Sequence, residues 1–212
     1  MINWIFVNTS QSVEVALYSN NQLYYESSHI LQGTMSMLLP MCDKLLKRAN
    51  VQLKDISKIG LCIGPGSFTG LRVGMGTVKA WGQVYDLPIV PITSNQLNAY
   101  NVYVDNIDIH NNITVASIVG GGAQACYVAL YDYDKVLSIP QCIKVSSLDE
   151  WLIANKHDIV VFDSNIGNKQ ATQLRQERIL LAMSNCCGVT DYNNVQPLYV
   201  RQPQPLRQGN DV

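Results

Sequence analysis

A glycine-rich turn is the part of this sequence best suited to chemistry. It runs from Gly64 to Gly70 (GPGSFTG), between a predicted strand and a predicted helix. Amide groups at a helix N-terminus point outward and the helix dipole favours negative charge, so the turn is a candidate anion site. The Gly-Lys-Ser/Thr ending of a P-loop and the G-x-G-x-x-G spacing of a dinucleotide site are both missing. Spacing alone therefore favours a tight structural turn, in which Ser67 or Thr69 caps the helix.

The histidines and acids form no recognisable metal site. The three histidines are His29, His110 and His157. A helix that binds a metal through two imidazoles needs them at i, i+4, and these residues are too far apart for that. Three acids near predicted strands, Asp132, Asp134 and Asp163, are more typical of turns and caps. We therefore expect no bound metal, and metalloprotease chemistry is disfavoured.

Nucleophilic and redox catalysis are also disfavoured. Ser67 has no histidine or acid close to it in the sequence, although a triad is defined by spatial rather than sequential neighbours. The vicinal pair Cys186–Cys187 could be redox-active, but the pattern favours a structural position at a helix end. The sequence therefore predicts no catalytic residue and no cofactor.

The composition excludes several classes of protein. The chain has 212 residues, 15 basic and 16 acidic, with a formal net charge of −1 and 47% hydrophobic residues. This apolar fraction excludes global disorder, and the charge balance disfavours a stand-alone nucleic-acid binder. The apolar stretches end well before the roughly 18 residues of a membrane span, and residues 1–7 predict a strand rather than a signal peptide. Six cysteines without C-x-x-C spacing favour reduced thiols, so we expect a cytoplasmic location.

The elements that must position the turn follow a repeated order. Each half has three antiparallel strands and then alternating helices and strands, which predicts two related α/β subdomains. We place the boundary in the Asn-rich stretch 95–112, giving an N-terminal lobe of residues 1–100 and a C-terminal lobe, with an extended tail, of residues 101–212. The predicted strands are 2–8, 13–18, 23–25, 56–63, 89–92, 113–118, 127–131, 136–145 and 159–162, and the predicted helices are 33–49, 68–85, 148–154 and 170–183.

The first two helices are apolar on too many sides for ordinary surface helices. The core stripe of the first comprises Leu38, Cys42, Leu45 and Ala49. Leucines and methionines on both flanks widen its apolar arc to roughly 200°. In the second helix the pairs Gly70–Gly74 and Gly76–Ala80 lie one turn apart, and each helical glycine costs about 1 kcal/mol relative to alanine. Either both helices are buried within a monomer, or each also packs closely on a partner protein.

The turn and the helix after it resemble a known family. Residues 64–74, GPGSFTGLRVG, are similar to the signature segment of the bacterial TsaB family, also called YeaZ, which belongs to the tRNA threonylcarbamoyladenosine machinery. Residues 7–10 (VNTS), 38–40 (LLP) and 197–201 (PLYVR) also match. Length and order of elements agree across the whole chain.

The resemblance implies an α/β fold of the actin-like, sugar-kinase and Hsp70 (ASKHA) type, with two duplicated lobes. It implies a non-catalytic partner that binds and activates a TsaD paralogue, which carries the metal and the transfer chemistry, together with the TsaE ATPase. Two helices from each paralogue would form a four-helix bundle, with tRNA reached only through the complex. The same face would form a homodimer when the chain is alone. The expected interface residues are Met35, Met37, Leu38, Met41, Leu45, Gly70, Val73, Gly74, Thr77 and Val78.

Two departures from the family bear on nucleotide binding. Asn8 stands where the family usually has Asp, at the position that serves phosphate or metal binding in catalytic relatives, and an amide is a poorer ligand for a divalent cation. The Asp-Ala-Arg…Glu-Val-Tyr segment of relatives is replaced by residues 120–127 (GGGAQACY), whose glycine triplet we interpret as a mobile loop. Both departures argue against the alternative function, a small actin-like nucleotide-binding protein or ATPase.

Overall fold

A computed structural model of the chain contains two β-sheets, one from each half of the sequence. Its described residues are 2–28, 34–105, 113–122, 124–133, 135–164, 166, 169–173, 175–185 and 191–200. The strands are β1 (Trp4–Asn8), β2 (Val13–Ser19), β3 (Gln22–Ser28), β4 (Lys58–Gly64), β5 (Ile89–Thr93), β6 (Val115–Gly120), β7 (Ala125–Tyr131), β8 (Gln141–Lys144) and β9 (Ile159–Phe162). The α-helices are α1 (Thr34–Ala49), α2 (Phe68–Tyr85), α3 (Ser94–Asp105), α4 (Leu148–Ala154) and α5 (Glu177–Asn185), and short 3₁₀ turns cover Leu53–Asp55 and Val145–Ser147.

Each sheet is an antiparallel meander with a parallel strand added beside its first strand. The first sheet has the order β3-β2-β1-β4-β5, in which β1 pairs antiparallel with β2 and parallel with β4. The second has the order β8-β7-β6-β9, in which β6 pairs antiparallel with β7 and parallel with β9. The predicted duplication is therefore confirmed, and it gives the two-lobed actin-like architecture.

The first sheet is covered on both faces, because successive side chains of a strand point to opposite sides. In β1, Ile5 and Val7 pack in the apolar cluster beneath α1 and α2. Trp4 and Phe6 pack in the cluster on the other face, which contains residues of α3, α5 and the second sheet. The core stripe predicted for α1 is confirmed: Leu38, Cys42, Leu45 and Ala49 are all buried.

Helix α3 covers Ser94–Asp105, in the Asn-rich stretch for which no helix was predicted. Asn95, Asn98 and Asn101 are spaced by three residues, so they share one face of the helix, and all three are buried. Their amide groups donate to backbone carbonyls of the second half, including Asn95 to Ser117 over 2.8 Å and Asn101 to Gln173 over 2.5 Å. Asparagine is a turn former in general, but here it satisfies buried carbonyls next to a sheet. The division at residue 100 stays a prediction.

Two other predicted elements are shorter or shifted. The strand predicted over 136–145 is confined to β8, because the segment before it leaves β7 through a turn between Asp132 and Lys135. The helix predicted over 170–183 begins only at Glu177. The observed elements begin five and seven residues after the predicted ones.

Candidate functional site

The glycine-rich turn is bound to the chain's own first loop. The amide of Ser67 donates to the carbonyl oxygen of Ser10 over 2.6 Å. The hydroxyl of Ser67 accepts from the amide of Gly70 over 3.2 Å, which confirms Ser67 as the cap of α2. A side chain at Gly66 would lie within 3 Å of the Ser10 backbone. The turn therefore uses the Ser67 amide and the space at Gly66 to hold the β1–β2 loop, as the structural interpretation predicts.

Helix α2 has glycines that face two different environments. A Cβ atom at Gly70 would overlap the carbonyl oxygen of Thr9, and one at Gly74 would overlap the Thr9 hydroxyl. A Cβ at Gly76 would meet no heavy atom within 4 Å, and Gly76 is exposed. The close approach predicted for Gly70 and Gly74 is thus made by the chain's own β1–β2 loop, and Gly76 is the glycine that is open to a partner.

The predicted interface residues divide between interior and surface. Five are buried within the chain and have no side-chain surface to offer a partner: Leu38, Leu45, Gly70, Gly74 and Val78. Four are half-buried at the edge of the core under α1 and α2: Met37, Met41, Val73 and Thr77. Met35 lies in α1, and its side chain is outside the described part of the structure. A helical wheel does not say which apolar side of a helix faces the sheet, and the partner interface itself stays a prediction.

The accessible face of α2 contains only Val73 of the predicted interface set, together with the Gly76–Ala80 pair whose spacing indicated close packing. We call this face the outer stripe; it consists of Thr69, Val73, Gly76, Ala80 and Val84. These residues are spaced by three or four, so they lie along one side of the helix. All except the half-buried Val73 are exposed, and 71% of Val84 is accessible. The small size of its residues was the available signal, since small residues allow a second helix to approach closely.

An aromatic cluster closes the N-terminal end of the outer stripe. The Phe68 ring lies 5.0 Å from the Tyr199 ring, centroid to centroid, and the Arg72 guanidinium lies 4.0 Å from the Phe68 centroid. The amide of Leu198 donates to the carbonyl oxygen of Ile63 over 2.7 Å, which fixes the tail beside β4. An open groove of about 460 Å³ runs along this part of α2, lined by Phe68, Thr69, Arg72, Val73, Gly76 and Thr77.

The exposed side of α1 is charged and internally paired. Lys44 and Arg48 both contact Glu26 of β3, over 2.8 and 3.0 Å, and Lys47 contacts Asp43 over 2.6 Å. Such exposed pairs contribute little stability individually. They hold the charged side of α1 against β3.

A second concave site lies between the two halves of the chain. It is a cavity of about 210 Å³ lined mostly by polar residues of the β1–β2 loop, α3, the segment after β9, and α5. At its edge, Gln11 donates to the carbonyl oxygen of Gly120 over 2.5 Å. A nucleotide bound between the lobes, as the alternative function would require, would have to occupy this cavity.

A buried ion pair forms one wall of this cavity. Glu14 Oε1 lies 2.6 Å from Arg178 Nη2, with both side chains at most 5% exposed. Burial alone would raise the pKa of Glu14, but the Arg178 charge and the hydrogen bonds from Tyr25, Arg178 and Asn8 outweigh it and lower the pKa. Burial and the adjacent Glu14 carboxylate raise the pKa of Tyr25 to about 12. Glu14 is therefore ionised and fully engaged with its own chain.

The second carboxylate of the cavity is Asp163. Burial raises its pKa, against the effect of hydrogen bonds from the Gly120 amide at 2.8 Å and the Ser164 hydroxyl at 2.9 Å. The glycine triplet begins at this contact and closes the β6–β7 turn, with Gly122 at φ 106°. The mobility expected for this loop stays a prediction.

The remaining candidate residues are not assembled for catalysis in the part of the chain that the structure describes. Among those residues, no group of three histidine, cysteine or acidic side chains is placed to hold a metal ion. His29, His110 and Cys186–Cys187 fall outside the described residues. Burial raises the pKa of Cys42 to about 12 and that of Cys126 to about 11, so neither is a ready nucleophile. No described helix has the length and apolarity of a membrane span.

Comparison with known proteins agrees with the resemblance of the turn. Residues 34–159, more than half of the chain, match the family model described as "TsaD: tRNA N6-adenosine threonylcarbamoyltransferase". The chain is 30% identical over 178 residues to the tRNA threonylcarbamoyladenosine biosynthesis protein TsaB of Bacillus subtilis, covering 82% of this chain and 71% of that protein. It is 29% identical over 130 residues to TsaB of Haemophilus influenzae, covering 61% of this chain and 53% of that protein.

The fold agrees with solved structures, and the family follows from the sequence matches. A solved structure described as YeaZ from Pseudomonas aeruginosa superposes with a TM-score of 0.74 at 16% identity, covering 94% of this chain and 100% of that one. In sequence, the chain spans about half the length of some of the curated relatives it matches, from 42% for TsaB of Buchnera aphidicola to 53% for that of Haemophilus influenzae. Since the match to the Bacillus subtilis protein covers more than two thirds of both chains, this protein belongs to the TsaB (YeaZ) family and is related to TsaD.

Proposed function

We propose that this chain is a non-catalytic partner that binds and activates a TsaD-type threonylcarbamoyltransferase, together with a TsaE-type ATPase, in tRNA threonylcarbamoyladenosine biosynthesis. The observation that carries the proposal is the outer stripe of α2. It is exposed, built from small residues and centred on Gly76, where a Cβ would meet no atom of the chain itself. Helical glycine lowers stability by about 1 kcal/mol, and contact with a partner helix is a physical reason for that cost.

The groove beside this stripe supports docking of a helix. Packed helices lie about 8–10 Å apart, and the distance shortens where the contact residues are small. A helix laid along Gly76 and Ala80 would contact the backbone of α2 and would be flanked by the half-buried Val73.

The interlobe cavity supports an accessory rather than a catalytic role. Pockets for drug-sized ligands and cofactors typically enclose about 300–1,000 Å³, and this one encloses about 210 Å³. One of its acids, Glu14, is already neutralised by Arg178, and Asn8 lacks the charge that a cation would need. These features weigh against the alternative, a nucleotide-binding protein or ATPase.

Three further elements belong to the proposal. The chain forms a homodimer through the same stripe when its partner is absent, since the exposed apolar surface then needs cover. It contacts tRNA only through the complex, because a net charge of −1 gives it no excess of positive charge with which to bind the phosphates. It acts in the cytoplasm, without a membrane contact.

The test is reconstitution with purified proteins. The chain is mixed with the TsaD and TsaE counterparts of its own organism, and modification of tRNA is measured with each component omitted in turn. We expect modification to require this chain and a stable complex with the TsaD counterpart to form. Full modification without the chain contradicts the proposal. Micromolar binding of ATP and magnesium by the isolated chain, with turnover, would favour the alternative.

A further inference from the structure

A continuous series of hydrogen bonds connects helix α5 of the second half to strand β1 of the first. Arg178 Nη2 donates to Glu14 Oε1 over 2.6 Å. The other oxygen of that carboxylate, Oε2, accepts from Asn8 Nδ2 over 2.7 Å. All three side chains are buried, so these bonds are shielded from water.

From Asn8 the series continues to the first turn of α2. Asn8 Oδ1 accepts from the amide of Ser10 over 2.9 Å and from its hydroxyl over 2.7 Å. The carbonyl oxygen of Ser10 accepts from the Ser67 amide over 2.6 Å. Ser67 in turn caps α2 by accepting from the Gly70 amide. The β1–β2 loop is thus fixed to α5 on one side and to α2 on the other.

The side-chain type at position 8 is determined by its two neighbours. Toward Glu14, residue 8 must donate, because an ionised carboxylate only accepts. Toward Ser10, it must accept, because the Ser10 amide only donates. Asparagine does both at once. An aspartate would instead place a second carboxylate against Glu14 with no proton between them, and like charges in a buried site repel strongly.

We propose that Asn8 is a positioning residue for the partner-binding helix. Its hydrogen bonds connect the buried Glu14–Arg178 pair to Ser10 in the β1–β2 loop. This loop in turn holds the first turn of α2 in place, at the N-terminal end of the outer stripe. Asparagine in place of the family Asp therefore suits the neighbouring Glu14–Arg178 ion pair. Position 8 has a structural role and has not merely lost a function. This inference rests on the proposed function for its binding consequence, but its structural part is independent of any partner.

The test exchanges donor and acceptor between positions 8 and 14. Asn8→Asp alone breaks the series. Asn8→Asp combined with Glu14→Gln restores it, because the introduced glutamine amide donates to the introduced carboxylate while the glutamine oxygen still accepts from Tyr25 and Arg178, and the charge of the pair is unchanged. Amide hydrogen exchange is measured in the full chain without a partner. For Asn8→Asp we expect about tenfold or faster exchange in the first turn of α2, with β6 and β7 little changed, and recovery in the double variant.

Binding to the purified TsaD counterpart gives the second readout. We expect Asn8→Asp to weaken this binding about tenfold or more and the double variant to recover it. A uniform rise in exchange across all elements, or no recovery in the double variant, overturns the inference. If Asn8→Asp fails to fold, Ser10→Ala removes one of the two bonds to Asn8 Oδ1, and a smaller rise confined to the first turn of α2 is then required. If the wild-type chain binds no TsaD counterpart, the proposed function fails, and the exchange data alone decide the inference.

Discussion

The Glu14 carboxylate of β2 and the Arg178 guanidinium of α5 lie 2.6 Å apart, in an ion pair that joins the two halves of the chain in the interior. The two residues are 164 positions apart in the sequence. Removing one partner from such a pair leaves an uncompensated buried charge, which is far costlier than losing an exposed ion pair.

Arg178→Met is therefore expected to lower the free energy of unfolding by about 3–5 kcal/mol. Arg48→Met, which removes an exposed arginine from its contact with Glu26, is the matched control and should cost no more than about 1 kcal/mol. Urea denaturation at neutral pH measures both. Equal effects for the two variants would contradict the structural assignment of the ion pair.

The loss of folding stability at low pH depends on the protonation of Glu14. Its folded pKa is lowered, so its contribution is present above the unfolded value of 4.5 and is lost as the pH falls through the folded value. We expect the urea midpoint of the wild type to fall as the pH is lowered below 4.5, and Glu14→Gln to show a shallower fall from a lower starting value. Identical acid slopes would show that Glu14 is not the titrating group.

The pKa of Asp163 is shifted in the opposite direction to that of Glu14. Its folded pKa is raised by burial, so its contribution is fully present below the unfolded value of 3.8 and is lost as the pH rises through the folded value. Asp163→Asn keeps an oxygen for the Gly120 amide and the Ser164 hydroxyl and removes the charge. We expect a higher Tm for this variant at pH 7 and no gain below pH 3.8. A gain that is equally large in acid would exclude a charge effect.

The glycines of α2 give a matched pair of stability variants. Gly76→Ala adds a methyl group in open space and should stabilise the helix by up to about 1 kcal/mol. Gly74→Ala adds the same group against the Thr9 hydroxyl and should destabilise by about 1–3 kcal/mol. Thr9→Ala should recover part of that loss in the double variant. The urea midpoints of these variants test the open space at Gly76 and the close contact of Gly74 with Thr9. Stabilisation by Gly74→Ala would contradict that close contact.

Several elements were predictable because their signals are local. Helix α2 was predicted with the bounds that the structure gives, 68–85, since Ser67 is a capping residue and the pattern ends just before Asp86, which has the left-handed φ of 53°. The meander and its duplication followed from runs of alternating apolar residues. These features depend on neighbours in sequence, which a single chain displays.

What the sequence could not predict depends on contacts between distant residues. Asn95, Asn98 and Asn101 were interpreted as part of a boundary because their composition favours turns, whereas the carbonyls they satisfy belong to distant residues such as Ser117 and Gln173. The apolar width of α1 and α2 was recognised, but the side of α2 that faces Thr9 could not be known before the β1–β2 loop was located. The Glu14–Arg178 pair carried no local signal at all.

The most direct test of the central claim is the binding of Gly76→Arg to the purified TsaD counterpart, compared with the wild type by calorimetry. The control Ile153→Arg adds the same charge at a position on α4 that is 87% exposed. Arginine is a better helix former than glycine, so Gly76→Arg should fold at least as stably as the wild type. We predict that it loses at least about tenfold in affinity while Ile153→Arg binds normally. Wild-type affinity in a folded Gly76→Arg would show that the partner does not dock on the outer stripe of α2.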